Sequence, residues 1–236
     1  MEKIAKRILN MEESATLKMA NLAWELKDQG KDIISLSLGE PDFDTPEFIK
    51  EAAINAIKEN YSHYPPVPGF KDLKQAISEK FKRDNNLDYD PTQIVVSTGA
   101  KHSLMNLCLA LVNPGEEVIL PAPYWVSYMA MVQFAEGTPV VLETGIESDF
   151  KITPDQLKGA LTDKTKMFIF SNPCNPSGSV YTETELKALA EIFKDYPNCY
   201  VVSDEIYELI NFESSNFSIG TIDSIKDRVI TVNGVA

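Results

Sequence analysis

No apolar run in the 236 residues approaches the roughly 18 that a membrane-spanning helix requires, so a helical span is not expected. Positive charge is in short supply: 22 Lys and Arg stand against 35 Asp and Glu, a formal net charge of −13. That balance argues against non-specific binding to nucleic acid or to an anionic membrane surface. A small anionic ligand stays open, because backbone N–H groups at a helix start hold phosphate without basic side chains. Cysteine is scarce, with only Cys108, Cys174 and Cys199. Their odd number and spacing exclude a disulfide framework and a cysteine-based metal centre, and no metal is expected. Cys108 and Cys199 lie in apolar runs and read as small buried hydrophobes in a reducing, cytoplasmic setting. Residues 1–13 mix charges with no apolar stretch, so no signal peptide is expected. Neither G-x-G-x-x-G nor G-x-x-x-x-G-K-[ST] occurs, which removes two glycine-rich nucleotide signatures.

What remains is an ordinary globular composition, 44% hydrophobic and 24% charged, enough for a packed core. Residues 14–29 carry apolar residues on successive turns before Gly30 and predict an amphipathic helix. Asp32–Leu38 predicts a strand that ends in the turn Gly39-Glu40-Pro41-Asp42. Thr45 as N-cap and Pro46 at the first helical position predict a helix through Lys58. A proline-rich loop (61–70) and a helix over 71–84 follow. From Gln93 onward, short β-branched runs at 93–98, 117–122, 138–143, 166–171, 199–203 and 228–233 alternate with helical stretches. Those stretches are His102–Val112, Trp125–Phe134, Pro154–Leu161 and Glu183–Phe193. The alternation predicts an α/β fold with a mainly parallel sheet covered by helices.

In such sheets, ligands collect at the carboxyl ends of strands, and the residues there carry unusual chemistry. Gly99-Ala100-Lys101 joins a strand to a helix, where free N–H groups and the helix dipole suit an anion; a simple strand-to-helix turn is the plainer reading. Asp204 ends an apolar run, with Tyr207 three residues on. A carboxylate there can pair with a protonated pyridine nitrogen, as that of pyridoxal phosphate, or can merely cap a helix beginning EIYEL. Ser171-Asn172-Pro173-Cys174-Asn175-Pro176-Ser177-Gly178 holds two Asn-Pro steps in eight residues. It predicts a rigid turn, in which either Asn-Pro bond can be cis, projecting the Asn175 amide.

The set SLGEPDFDTP (37–46), STGAKHSL (97–104), PAPYWVSY (121–128), SNPCNPSG (171–178) and SDEIYE (203–208) resembles the class I/II pyridoxal-phosphate-dependent aminotransferases of fold type I, and most of all the bacterial aspartate aminotransferases. The motifs run through nearly the whole chain in order. The resemblance implies that residues 1–46 form an N-terminal arm and the start of a small domain. Residues 47–236 would then be most of a large domain that binds pyridoxal 5'-phosphate. It implies that Gly99, Ala100 and Lys101 cradle the cofactor phosphate, Trp125 lies against the ring, Asn175 and Tyr207 contact the phenolic oxygen, and Asp204 pairs with the ring nitrogen. Gly39, Trp125 and Asn175 are expected around the substrate α-carboxylate. Tyr64 is expected at the phosphate of a neighbouring subunit, making a functional homodimer. His63 and His102 match no catalytic role. The Schiff-base lysine is expected immediately after Ala236, with the arginine that grips the α-carboxylate further on, so the chain is expected to continue. The activity implied is transfer of an amino group from an amino acid, aspartate, to a 2-oxo acid, 2-oxoglutarate. The rivals are a carbon–sulfur lyase on the same fold and a non-catalytic cofactor-binding regulator.

Overall fold

A computed structural model of the chain describes residues 4–9, 15–36, 39, 42–212 and 216–235. They fall into two compact units, one within residues 12–67 and the other within residues 1–11 and 68–236. The short helix α1 (Lys6–Leu9) belongs to the larger unit, while α2 (Ala15–Asp28) and α3 (Glu47–Lys58) make up the helical part of the smaller one.

In the smaller unit the two predicted helices form, but the strand predicted over Asp32–Leu38 does not appear in residues 31–36. A strand needs a partner backbone, and the apolar pattern of this segment brings none; Ile34 and Leu36 stay exposed. Ser37, Leu38, Glu40 and Pro41 lie outside the described residues. Helix α3 also starts differently from expectation. Pro46, with ψ of 141°, takes the capping position in place of Thr45, and no side chain caps the helix.

The larger unit opens with α4 (Lys71–Asn85), closed by Asn86 in the left-handed region at φ 55°. The strand predicted over 93–98 is absent from the sheet. A 3₁₀ turn at Pro91–Gln93, closed by a reciprocal Asp90–Gln93 cap, leads into it. Beyond that turn its long-range backbone hydrogen bond runs from Val96 N–H to the Pro68 carbonyl, 3.1 Å. The segment is extended at Ile94 but has no ladder to join. Then come α5 (Ala100–Leu111), β1 (Glu117–Pro121), α6 (Ser127–Phe134), β2 (Thr138–Leu142), α7 (Pro154–Ala160), β3 (Thr165–Ser171), α8 (Glu183–Phe193), β4 (Tyr200–Asp204) and β5 (Val229–Val232).

The five strands pair in the order β2-β1-β3-β4-β5, every pair parallel. Side chains alternate between faces. Ile119, Phe168, Phe170 and Val201 pack with α7 and α8 residues such as Leu157, Leu186 and Phe193. Val118, Leu120, Met167, Ile169 and Val202 pack with Leu104 and Cys108 of α5 and Tyr128 and Val132 of α6. Each fully buried side chain of this size contributes about 1.5–3 kcal/mol, so both layers hold the sheet firmly. Helices α7 and α8 begin with capping boxes, Thr153 with Gln156 and Thr182 with Glu185.

Strand order decides where a ligand sits. The chain leaves β1 for β2 on one side, then returns to place β3 on the other side of β1. The reversal opens a crevice at the carboxyl ends of β1 and β3, the usual binding position in open parallel sheets.

Candidate active site

The first group of candidate residues is the turn into α5. Gly99 caps this helix at φ 79°, a conformation a β-carbon makes costly. The N–H groups of Ala100 and Lys101, first in the helix, have no carbonyl a turn behind them and point out of its positive end. His102 holds the turn from behind, its Nδ1 accepting the Thr98 N–H at 3.2 Å. That is a structural task, consistent with a histidine outside the chemistry.

The second is Asp204, the last residue of β4. Alternation places Ser203 on the α7/α8 face and Asp204 on the α5/α6 face, where its carboxylate is 3% exposed. Oδ2 accepts the Tyr128 hydroxyl at 2.6 Å and Oδ1 the Ile206 N–H at 3.3 Å. Burial raises the carboxyl above its ordinary range, and those two donors pull it back. No cation contributes among the described residues. A buried carboxylate that lacks a positive partner suits a cationic ligand atom.

The loops after β1 and β3 complete the crevice. The Ala122–Pro123, Asn172–Pro173 and Asn175–Pro176 bonds are all cis. Asn172 is buried, and its Oδ1 accepts the Tyr181 N–H at 2.8 Å. Asn175 projects instead toward the opening, and its Nδ2 donates to the Tyr207 hydroxyl at 3.3 Å. Trp125 is half-buried, lies edge-on to Tyr128 with centroids 5.6 Å apart, and has the Lys101 ammonium 4.9 Å from its ring centre. Trp125, Asn175, Asp204 and Tyr207 thus all lie at the carboxyl ends of β1, β3 and β4, and Lys101 meets them at Trp125.

Tyr207 does not stand on a helix as the sequence predicts. The 205–210 segment makes the i+3 bonds Glu208 N–H to Glu205 and Ile210 N–H to Tyr207 and no α-helix. The reason is Glu205, whose side chain turns inward to accept hydroxyls from Ser203 and Ser218 at 2.9 and 2.6 Å. Gly39, Tyr64 and His63 belong to the smaller unit, where all three are exposed.

Two residues escaped the sequence reading. Tyr128 was visible in PAPYWVSY only as an aromatic three positions after Trp125, a spacing that shares a helix face. Ser171 was visible only as the first residue of the Asn-Pro motif, yet its Oγ accepts the Asn175 N–H at 3.1 Å.

A profile of the family described as aminotransferase class I and II matches residues 31–236. The aspartate/prephenate aminotransferase of Nitrosomonas europaea is 48% identical over 236 residues, 99% of this chain and 59% of its own length. The aspartate aminotransferase of a Bacillus species is 47% identical over 237 residues, 100% of this chain and 60% of its own. The solved structure of aspartate aminotransferase from Thermus thermophilus with maleate matches at TM-score 0.95 and 42% identity, covering 100% of this chain and 61% of that one. An alanine aminotransferase from Pyrococcus furiosus matches at TM-score 0.92 and 35% identity, covering 98% and 59%. The chain therefore spans about three fifths of the length of the relatives it matches.

Proposed function

The chain belongs to the aminotransferase class I and II family, and from that premise we propose that its protein uses pyridoxal 5'-phosphate to move an amino group from aspartate to 2-oxoglutarate. The observation that carries the reading is Asp204, a buried carboxylate at the carboxyl end of a parallel strand, with no cation beside it among the described residues.

The residues present fit the cofactor's chemistry from end to end. The N–H groups of Ala100 and Lys101 at the start of α5, where Gly99 lets the backbone turn, would hold the phosphate. Trp125 offers a flat face to the ring. Asn175 and Tyr207 offer an amide and a phenol to the phenolic oxygen. Asp204 would keep the ring nitrogen protonated. When bound, the cofactor accepts the electron pair left as an amino acid loses its Cα proton. Trp125 and Asn175 would orient the substrate α-carboxylate, and a lysine would move the proton.

Tyr64 reaches the phosphate of a second copy, so the working form is a homodimer, and its full exposure leaves it available for that contact. In the whole protein, residues 1–46 form the arm and the start of a small domain, and residues 47–236 most of the large one. Three free cysteines fit a reducing, cytoplasmic setting. Among the described residues no helix is long and apolar enough to cross a membrane.

Aspartate as donor rests on the names of the relatives, several of which are aspartate/prephenate aminotransferases. The Thermus thermophilus structure holds maleate, a four-carbon dicarboxylate. Such a substrate needs a cation for its side-chain carboxylate, and the Lys101 ammonium beside Trp125 is one at the crevice edge. Acceptor dependence tests the reaction. With aspartate alone, the full-length enzyme is expected to release no further oxo acid after one turnover. With 2-oxoglutarate added, oxaloacetate and glutamate are expected in equal amounts. Steady release of ammonia without an acceptor would indicate a lyase instead.

A further inference from the structure

The turn that carries Tyr207 has little apolar contact to hold it. Residues 205–210 make two i+3 backbone bonds and no helix, and Leu209 and Ile210 are exposed. Polar anchors set its position instead. At one end Glu205 turns inward onto the Ser203 and Ser218 hydroxyls. At the other, Glu208 reaches α4, where one carboxylate oxygen meets the Lys80 ammonium and the other accepts from the Asn85 side-chain amide. Lys80 also donates to Asn85 Oδ1 at 2.7 Å, so the three side chains close a ring. The Glu208 carbonyl accepts from the Asn216 amide at 2.6 Å, which ties the same residue down through its backbone. Its side chain is only 8% exposed, and there a hydrogen bond is electrostatically stronger than in water. All of these residues lie in the larger unit.

We propose that Glu208 is a positioning residue, which sets the place of the Tyr207 phenol through its ion pair with Lys80 and its hydrogen bond from Asn85. The inference rests on the pyridoxal-phosphate reading above, in which that phenol serves the cofactor's phenolic oxygen. One peptide bond separates Glu208 from Tyr207, so a carboxylate locked on α4 fixes the backbone from which the phenol projects. Directional bonds from two donors hold that carboxylate in one orientation, which non-directional apolar contact would not do. The 3.3 Å spacing of the phenol to the Asn175 amide is then set from α4 as well as from the sheet.

The test uses full-length protein loaded with pyridoxal phosphate, and reads the cofactor dissociation constant and the pH midpoint of the bound cofactor's visible absorption. A donor to the phenolic oxygen favours its anionic form and lowers that midpoint, so Tyr207→Phe is expected to raise it. Glu208→Ala is expected to raise it by less and to weaken cofactor binding by about two- to tenfold, the net effect of one impaired hydrogen bond. The sign is diagnostic, because loss of the Glu208 charge acting directly on the cofactor would lower the midpoint. In a Tyr207→Phe background, Glu208→Ala is expected to change neither readout further. Lys80→Ala, which leaves the turn's own sequence intact, is expected to behave in the same way in both backgrounds, and Lys80→Arg to keep the wild-type values; this pair carries the test if Glu208→Ala does not fold. A midpoint that stays or falls in Glu208→Ala, or an effect that persists in the Tyr207→Phe background, would overturn the proposal alone. A wild-type protein that binds no pyridoxal phosphate, or a Tyr207→Phe midpoint equal to wild type, would overturn the functional reading of the site and this proposal with it.

Discussion

The Asn175 amide donates to the Tyr207 hydroxyl at 3.3 Å, joining residues 32 apart in the chain across the gap between the ends of β3 and β4. Each is held by its own loop, Asn175 through its backbone bond to Ser171 and Tyr207 through the turn closed by Ile210. Because the phenol oxygen accepts from the amide, its own proton is left to donate elsewhere. A ligand oxygen there meets two donors whose spacing the sheet has already set, which lowers the entropic cost of ordering them on binding.

The proposed sharing of a cofactor phosphate across a dimer gives the first prediction. Tyr64→Phe removes one hydroxyl from a fully exposed tyrosine, and is expected to weaken pyridoxal phosphate binding by about tenfold or more. Mixed dimers sharpen the measurement. With Tyr64→Phe on one subunit and a replaced cofactor lysine on the other, the two possible arrangements are expected to differ in cofactor affinity. Equal affinity in every combination would leave Tyr64 as a loop aromatic.

Stability should depend on pH through Glu205, which is 4% exposed. Burial pushes its carboxyl up to about 7 from an ordinary 4.5; Glu208 adds to the rise, while the Ser218 and Ser203 hydroxyls and Lys80 oppose it. Between those values the folded protein holds a proton that the unfolded chain releases. The stability from this group is therefore fully present below about pH 4.5 and is lost as pH rises to about 7. Glu205→Gln keeps an acceptor for the two serines and removes the charge. In cofactor-free protein, the variant is expected to gain on wild type by on the order of 1–3 kcal/mol between about pH 5 and pH 8. Urea midpoints at the two pH values measure this, and a constant difference between the proteins would contradict it.

The three cysteines should differ in reactivity. Cys108 and Cys199 are buried in opposite faces of the sheet, and burial pushes their thiols up to about 11 and about 12. Cys174 is half-buried in the Asn-Pro loop, its Sγ 3.3 Å from the Pro123 carbonyl. A maleimide reagent at neutral pH is expected to modify Cys174 in the native protein and the other two only after denaturation. Peptide mass mapping reads the sites, and comparable native labelling of Cys108 or Cys199 would contradict the packing.

These cases also show what a sequence can disclose. Strands β3 and β4 were legible because a strand buried on both faces is apolar at nearly every position, as in Met167–Phe170. Gln93–Thr98 has the same β-branched look yet joins no ladder, since pairing depends on a distant neighbour that local composition cannot report. The turn at 205–210 reads as a helix start, and only the inward swing of Glu205 to Ser218 shows otherwise. Asp204 and Asn175 stood out through strand ends and the Asn-Pro steps. Tyr128 did not, because its meeting with Asp204 depends on the order of strands in the sheet, 76 residues away in sequence.

Asp204 is the proposed partner of a protonated ring nitrogen, and the turnover number of Asp204→Ala in the full-length enzyme tests that most directly. Removal of one preorganised charge is expected to lower kcat by on the order of 10²–10³ while the fold stays intact. A kcat within a few-fold of wild type would contradict the account.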